Sequence, residues 1–276
     1  DYYSQIDRAT VDPRLGVRWQ VAPGTTLKAG VGQFEQPPAP DESSPKLGNP
    51  HLITPRAIHY SAGVEEKVVD GLEGEVTGFY KDLSQLVVRN PVYGYDPAAE
   101  PYISEGVGRV YGLEATLKLR LGEAFWGWVA YTYQRAFRTD HPGGVERRFD
   151  FDQPHILTTV GTWKFARGWS AGFRFRFVSG NPVTPVLGSV LDTSSGAYVP
   201  IYGATNTSRL PAFEQLDLRV DHTWTYRTWK LNLYLDVQNA TNRGNVEGYD
   251  YNYDYARRTP ATGLPILPIL GLTAEW

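Results

Sequence analysis

Apolar residues recur at every second position through stretch after stretch of this chain, and that period restricts it to β-strands. Leu216, Leu218 and Val220 alternate with Asp217, Arg219 and Asp221. Leu231, Leu233, Leu235 and Val237 alternate with Asn232, Tyr234, Asp236 and Gln238. Leu113, Ala115, Leu117, Leu119 and Leu121 alternate with Glu114, Thr116, Lys118 and Arg120, while Phe173, Phe175 and Phe177 sandwich Arg174 and Arg176. Successive side chains of a strand point to opposite faces, so each stretch sorts apolar groups to one face and polar groups to the other. No stretch has a convincing helical period. The alternation predicts strands over 14–21, 25–35, 57–69, 72–90, 103–121, 125–139, 152–166, 169–180, 211–225, 229–243 and 260–276. Several exceed the length of about 3–10 residues usual for globular strands. They are long enough to cross a bilayer, which takes a tilted strand about 9–11 residues.

The connections alternate in length. Short ones fall near Pro23-Gly24, Asp70-Gly71, Gly122-Glu123, Arg167-Gly168 and Arg227-Thr228. Long ones cover 36–56, 91–102, 140–151, 181–210 and 244–259, and are rich in the Pro, Gly, Asn, Asp and Ser of turns and loops. A soluble sandwich has no reason to sort its loops this way. An up-and-down barrel in an outer membrane does, with short periplasmic turns and long extracellular loops.

The aromatic residues point the same way. They make up 13% of the chain, with Tyr 18 and Trp 8. Trp19, Trp126, Trp128, Trp163, Trp169, Trp224, Trp229 and Trp276 lie beside short turns or at the chain end. Tyr60, Tyr93, Tyr95, Tyr102, Tyr198 and Tyr202 lie towards the long loops. Rings with an apolar body and a polar tip settle at membrane–water boundaries. The mean hydropathy of -0.38 fits a barrel whose alternate residues face a wet lumen. A net charge of -3 gives no basic excess for binding nucleic acid, and the absence of Cys removes disulfides and thiolate metal sites. The histidines, His51, His59, His141, His155 and His222, form no readable Ser/His/Asp arrangement, so the chain is expected not to be an enzyme. His222 stands in apolar register between Val220 and Trp224, as a girdle residue, and His155 at a strand entry suits a rim hydrogen bond.

The predicted fold is therefore all-β: an antiparallel, up-and-down transmembrane β-barrel, read as a single domain over 1–276. Eleven strands is an odd number, whereas bacterial single-chain barrels have even counts. The first residue is Asp1, and no signal peptide is legible. The expectation is an incomplete domain, with its first strands missing at the N-terminal side.

Particular motifs resemble one family. Asp12-Pro13-Arg14-Leu15, Pro23-Gly24-Thr25-Thr26-Leu27-Lys28 and Gly32-Gln33-Phe34 are similar to the barrel of TonB-dependent receptors. So are Leu47-Gly48-Asn49-Pro50-His51-Leu52, Ser61-Ala62-Gly63-Val64-Glu65, Gly108-Arg109-Val110-Tyr111-Gly112-Leu113-Glu114 and Asp152-Gln153-Pro154-His155. Leu216-Asp217-Leu218-Arg219, Asp236-Val237-Gln238-Asn239-Ala240-Thr241-Asn242-Arg243, and Gly263-Leu264-Pro265 through Gly271-Leu272 complete the series. Thr54-Pro55-Arg56-Ala57 departs from it, because the family usually has Pro-Glu there. The resemblance implies a barrel of about 22 strands filled by an N-terminal plug. This chain then supplies eleven of them, and the plug and the TonB-binding segment lie outside it. The implied activity is TonB-coupled import of a scarce nutrient of the siderophore, cobalamin, sugar or peptide class. A passive porin, or a surface adhesin or barrel enzyme, is the alternative.

Three residue sets are candidates for function. Asp217, Arg219, Asp221, Asn232, Asp236 and Gln238 should face the lumen, where the resemblance has them bond the plug; a hydrated channel wall would look much the same. In Gly248–Tyr255, a spacing of two puts Tyr249, Tyr251, Tyr253 and Tyr255 on one face and Asp250, Asn252 and Asp254 on the other. That run reads either as a ligand surface, whose acids could hold Ca²⁺ in an extracellular loop, or as a self-packing hairpin above the membrane. No other cofactor or metal is expected. Leu270, Leu272, Ala274 and Trp276 share one face of the last strand and resemble the signal read by the barrel-assembly machinery. The expected partners are TonB, the plug, that machinery, the lipid bilayer of a bacterial outer membrane and a small-molecule nutrient.

Overall fold

In the computed structural model, residues 2–3, 8–96 and 98–276 are described. Strands β1 (Tyr2–Tyr3) and β2 (Arg8–Ala9) pair with each other. Next come β3 (Arg14–Ala22), β4 (Thr25–Glu35), β5 (Arg56–Val69), β6 (Leu72–Arg89), β7 (Tyr102–Leu121) and β8 (Phe125–Thr139). After the small β9 (Arg147–Arg148) come β10 (His155–Ala166) and β11 (Trp169–Val178). The following long connection contains β12 (Pro182–Val183), β13 (Val186–Asp192), β14 (Ala197–Tyr202) and β15 (Ser208–Arg209). The chain closes with β16 (Phe213–Thr225), β17 (Lys230–Gln238), β18 (Val246–Tyr251), β19 (Arg258–Thr262) and β20 (Leu267–Glu275). No helix occurs among the described residues.

The described long strands form one sheet in the order β20, β17, β16, β11, β10, β8, β7, β6, β5, β4, β3, with β9 beside β8. Each long strand therefore neighbours the next one in sequence, which is the up-and-down pattern. All eleven predicted strands are present. Four of the five short turns work because glycine supplies left-handed backbone: φ is 95° at Gly24, 86° at Gly71, 57° at Gly122 and 78° at Gly168. At Gly71 the conformation cannot be shared, since a Cβ there would stand 2.2 Å from the Arg120 carbonyl oxygen.

The predicted ends need correction where proline or asparagine intervenes. The last strand was expected over 260–276, but β20 begins at Leu267 and residues 258–262 belong to the separate β18–β19 pair. Pro265, after Gly263, separates the two. The strand expected over 229–243 stops at Gln238, where Asn239 and Asn242 adopt positive φ of 49° and 50°. The long connections 181–210 and 244–259 are themselves built as hairpins.

The chain divides into two compact units: residues 1–64, 77–113 and 134–152, and residues 65–76, 114–133 and 153–276. In the first unit, Leu15 lies opposite Val31, Val17 opposite Ala29 and Trp19 opposite Leu27. Paired residues share a face, and Leu15, Val17, Trp19, Leu27 and Val31 are all exposed. In the second unit, Phe173 pairs with Leu218, and Val220 with Leu235, which in turn pairs with Leu270. Trp169 pairs with His222, His222 with Leu233, and Leu233 with Leu272. Leu218, Val220, Leu233, Leu235, Leu270 and Leu272 are exposed as well. The described buried hydrophobic residues are Leu52, Val88, Ala136 and Val178, so most strand apolar groups face outward rather than a core. A continuous exposed apolar face of this kind is made for lipid.

Two tryptophans depart from the girdle expectation. Trp126 pairs with Thr162 and Trp128 with Val160, whose partners on β11 are Gly172 and Arg174. They therefore share the polar face, although they lie next to a short turn as predicted. His222 does sit in a girdle, with ring centroids 4.5 Å from Trp169 and 4.2 Å from Trp224. The two faces should respond differently to substitution. Leu218→Arg puts a charge on the lipid side, at about 2–4 kcal/mol near the midplane, and should sharply reduce heat-modifiable folded protein. Arg219→Leu should reduce it little, and equal loss from both would contradict this assignment of faces.

Candidate functional site

The polar face of the second unit carries the predicted lumen residues, and the strand register aligns them. Arg219 lies opposite Asp236, and Thr223 opposite Asn232. Asp217 is almost fully buried, at 8% exposure. Its Oδ1 accepts hydrogen bonds from Gln215 Nε2 at 2.7 Å and from the Asn239 backbone N–H at 2.9 Å. Its Oδ2 accepts from Arg174 Nε at 2.9 Å. Arg219 donates to Asp221 Oδ1 from Nη2 at 2.7 Å, and its guanidinium lies 3.8 Å above the Tyr234 ring. Asn232 Nδ2 donates to Thr223 Oγ1 at 2.9 Å.

Four of the six expected residues, Asp217, Arg219, Asp236 and Gln238, line a recess of about 310 Å³. Asp221 stands beside it as the partner of Arg219, and Asn232 lies outside the lining. Gly172 makes the room: it lies between Thr162 and Arg219 on this face and has no side chain to fill the gap. Arg174 belongs to the site but was not picked out as a candidate. Its signal was available, because it is a charge between Phe173 and Phe175, with the same alternation as Asp217 and Arg219. The face offers two guanidinium–carboxylate pairs and several amides. It suits reversible polar contacts rather than bond making.

The tyrosine run does not form one face of four phenols. The strand ends at Tyr251, and a turn follows in which Tyr255 has φ of 58°. Two of the rings stay together and the other two find different neighbours. Arg258 stacks 4.2 Å above Tyr249, Tyr251 lies 5.7 Å from Tyr255, and Tyr253 lies 5.2 Å edge-on to Tyr198. Tyr253 also donates its hydroxyl proton to the Gly196 carbonyl at 2.8 Å, and Ser189 Oγ donates to the Asp254 carbonyl. The β18–β19 hairpin is thus docked on the β13–β14 hairpin. Asp254 Oδ1 accepts from the Ala256 N–H at 3.0 Å, Asp250 is exposed, and no cluster of acids able to hold a metal forms among the described residues. At the hairpin tip, the hydroxyls of Ser195 and Ser194 hold the Asp192 carboxyl down at about 2.

Leu270, Leu272 and Ala274 pair with Leu235, Leu233 and Leu231 on the apolar face, and Trp276 is 95% exposed. His155 makes its rim contact, with Nδ1 2.8 Å from the Tyr131 hydroxyl. In the first unit, the departing Thr54 is fully buried and its hydroxyl donates to the Glu35 carboxylate, while Asn49 Nδ2 donates to the Tyr102 carbonyl at 2.8 Å. The variant Thr54-Pro55 segment therefore packs the long connection onto the strand ends.

An up-and-down sheet with a lipid-suited face, a polar face and tall hairpins defines an outer-membrane β-barrel. Residues 1–240 match the family model described as TonB dependent receptor-like, beta-barrel, and the chain belongs to that family. It is a family of outer-membrane transport receptors and not of enzymes. No curated protein matches the chain in sequence. Among solved structures, the outer membrane transporter YddB from Escherichia coli superposes with TM-score 0.70 at 12% identity, over 99% of this chain and 42% of that one. The ferric-catecholate import receptor Fiu from K12 E. coli gives 0.63 at 18% identity, over 95% and 34%. The FrpB iron transporter from Neisseria meningitidis gives 0.65 at 16% identity, over 96% and 39%. This chain thus spans between about a third and two-fifths of their lengths.

Asp217 should matter more than its neighbour Asp221. Asp217→Ala leaves the buried Asn239 N–H without an acceptor, which costs about 1–3 kcal/mol. Hydrogen exchange over 239–242 should accelerate in that variant and stay unchanged in Asp221→Ala. Equal exchange in both would show that Asp217 does not hold the turn.

Proposed function

We propose that these strands form part of the barrel of an energy-coupled importer, which captures a scarce nutrient outside the cell and passes it inward. The observation that carries this reading is the family match, with a polar sheet face whose recess is lined by paired charges and amides. On this reading, a plug domain fills the lumen and contacts Asp217, Arg219, Asp221, Asn232, Asp236 and Gln238. TonB acts through a segment beyond these strands. The long connections face outward and take the first contact with the nutrient, with Tyr249, Tyr251, Tyr253 and Tyr255 in the docked hairpins. The cargo belongs to the siderophore, cobalamin, sugar or peptide class. Fiu is a ferric-catecholate import receptor and FrpB an iron transporter, which supports an iron chelate ahead of the others. Leu270, Leu272 and Trp276 serve as the signal for the assembly machinery. Deleting Trp276 should lower the yield of assembled barrel and Trp276→Phe should preserve it; normal yield from Trp276→Ala would remove that role.

Conductance separates a plugged importer from a passive pore. The full-length protein in planar bilayers should show no steady open channel, whereas a large ohmic conductance would establish a porin. Orientation is tested on intact cells. A peptide tag inserted at Ser194–Gly196 should bind antibody, and one at Arg167–Gly168 should bind only after the outer membrane is permeabilised. The reverse labelling would overturn the account of capture by the long connections.

A further inference from the structure

The five short turns differ in charge. Pro23-Gly24 has none, Lys67 beside Asp70-Gly71 is paired with Asp70 at 2.8 Å, and Gly122-Glu123 bears an acid. Arg167-Gly168 and Arg227-Thr228 bear a cation each, and both arginines are exposed. Among the described residues, neither has an ion-pair partner, and Glu123 at the adjoining turn pairs with neither. Asp221, on the strand between them, is committed to Arg219.

The strand register brings these two turns together at one end of the second unit. Ala166 pairs with Trp169 across the first turn, and the Gly168 carbonyl accepts the Thr223 N–H at 2.7 Å. Arg227 follows Thr223 by four residues, in a turn closed by the Tyr226 N–H on the Trp229 carbonyl at 2.9 Å. At about 3.3 Å per residue, the two arginines stand at most about 13 Å apart along the strand, a span that two extended side chains can close on one phosphodiester. Rings flank both cations on the lipid-suited face. Phe165 lies 6.4 Å from Trp169, and His222 lies between Trp169 and Trp224. Gly168 leaves room for that row, since a Cβ there would stand 3.0 Å from His222 Cε1. Tyr226 stacks on Trp229 at 4.4 Å, beside Arg227. Further along the same face, Phe173, Leu218 and Leu233 are exposed and lead towards the midplane. Lys164 and Lys230 stand on the opposite face, paired in register with Ser170 and Thr225.

Indole and phenol rings settle where hydrocarbon meets headgroups, so the two arginines lie at headgroup height. An arginine there keeps its stem in the apolar layer and presents its guanidinium to phosphate. A net anionic headgroup is favoured over a zwitterionic one, whose ammonium would meet the same unpaired cations. We propose that the Arg167 and Arg227 turns form a binding site for an anionic glycerophospholipid. Its phosphate sits on the two guanidinium groups, its glycerol backbone beside Trp169 and Trp224, and its acyl chains on Phe173 and Leu218. The lipid belongs to the leaflet that the short turns reach, which is the inner one on the orientation proposed above. The site depends on the lipid face of the barrel and not on import, so it can fail while the importer reading stands.

Native mass spectrometry of the full-length protein, released from detergent, tests it without regard to orientation. Dioleoylphosphatidylglycerol is the probe, and dioleoylphosphatidylethanolamine, with the same chains, is the control. Lipid A is the third arm, as an anionic lipid of different origin. The phosphatidylglycerol should bind about tenfold tighter than the phosphatidylethanolamine, or more. Arg167→Gln and Arg227→Gln should each weaken phosphatidylglycerol binding about fivefold, as the loss of one interfacial cation implies, and leave phosphatidylethanolamine binding unchanged. Arg167→Lys should recover most of the loss, and Lys67→Gln, which removes a paired cation, should change nothing. Each variant is first checked for heat-modifiable folding, and the comparison of lipids on the unsubstituted protein needs no variant. Equal affinity for the two phospholipids, affinities within twofold of the unsubstituted protein for both Gln variants, or tighter binding of lipid A than of phosphatidylglycerol would each overturn the proposal.

Discussion

The structure depends on one requirement: in a hydrocarbon layer every backbone N–H and C=O must find a partner within the protein, because an unpaired group costs several kcal/mol. Helices meet this internally, but the period of two in this sequence excludes them. The remaining solution is a continuous ladder between neighbouring strands. The long β-strands follow it, each bonded to the next in sequence from β3 to β20. Turn chemistry serves the same end. Glycines at positive φ let the chain reverse within a few residues, so that little backbone is left without a ladder partner.

Once the ladder is fixed, pleating divides the side chains into two populations with different solvents. The lipid-suited face needs only apolar bulk and interfacial rings, and Leu218, Leu235, Leu272, Trp169 and Trp224 supply them. The other face must satisfy charges. In the second unit it does so laterally, within the sheet, through Arg174 with Asp217 and Arg219 with Asp221. In the first unit, Arg109, Arg135 and Arg147 pair with Glu146, Asp152 and Asp140, while Arg14 lies over the Phe34 ring.

The strands and their faces were legible because a period of two is a local property that survives any tertiary context. Leu218 and Arg219 could be assigned to opposite faces without coordinates. Irregular backbone was less legible. Asn239 and Asn242 end β17 through left-handed turns that alternation does not register, and Pro265 detaches 258–262 from the last strand. The tyrosine run misled for the same reason, since its spacing of two continues through a turn where spacing no longer implies a face. Trp126 and Trp128 show a second limit. Position beside a short turn fixes height along a strand, but only parity fixes the side, and theirs is the polar one. Arg174 could have been found by extending the parity argument to every strand. The stacking of Arg14 over Phe34 could not, because it depends on cross-strand register.

The division of β16 and β17 into a lipid face and a polar face is the central claim, and spin-label accessibility tests it most directly. Single cysteines at 216 to 221 in the full-length protein, labelled and reconstituted in bilayers, would be relaxed with oxygen, which concentrates in lipid, and with a polar nickel chelate, which does not. The account predicts strict alternation, with oxygen dominant at 216, 218 and 220 and nickel dominant or both agents excluded at 217, 219 and 221. Uniform accessibility along the strand, or alternation in the opposite phase, would contradict it.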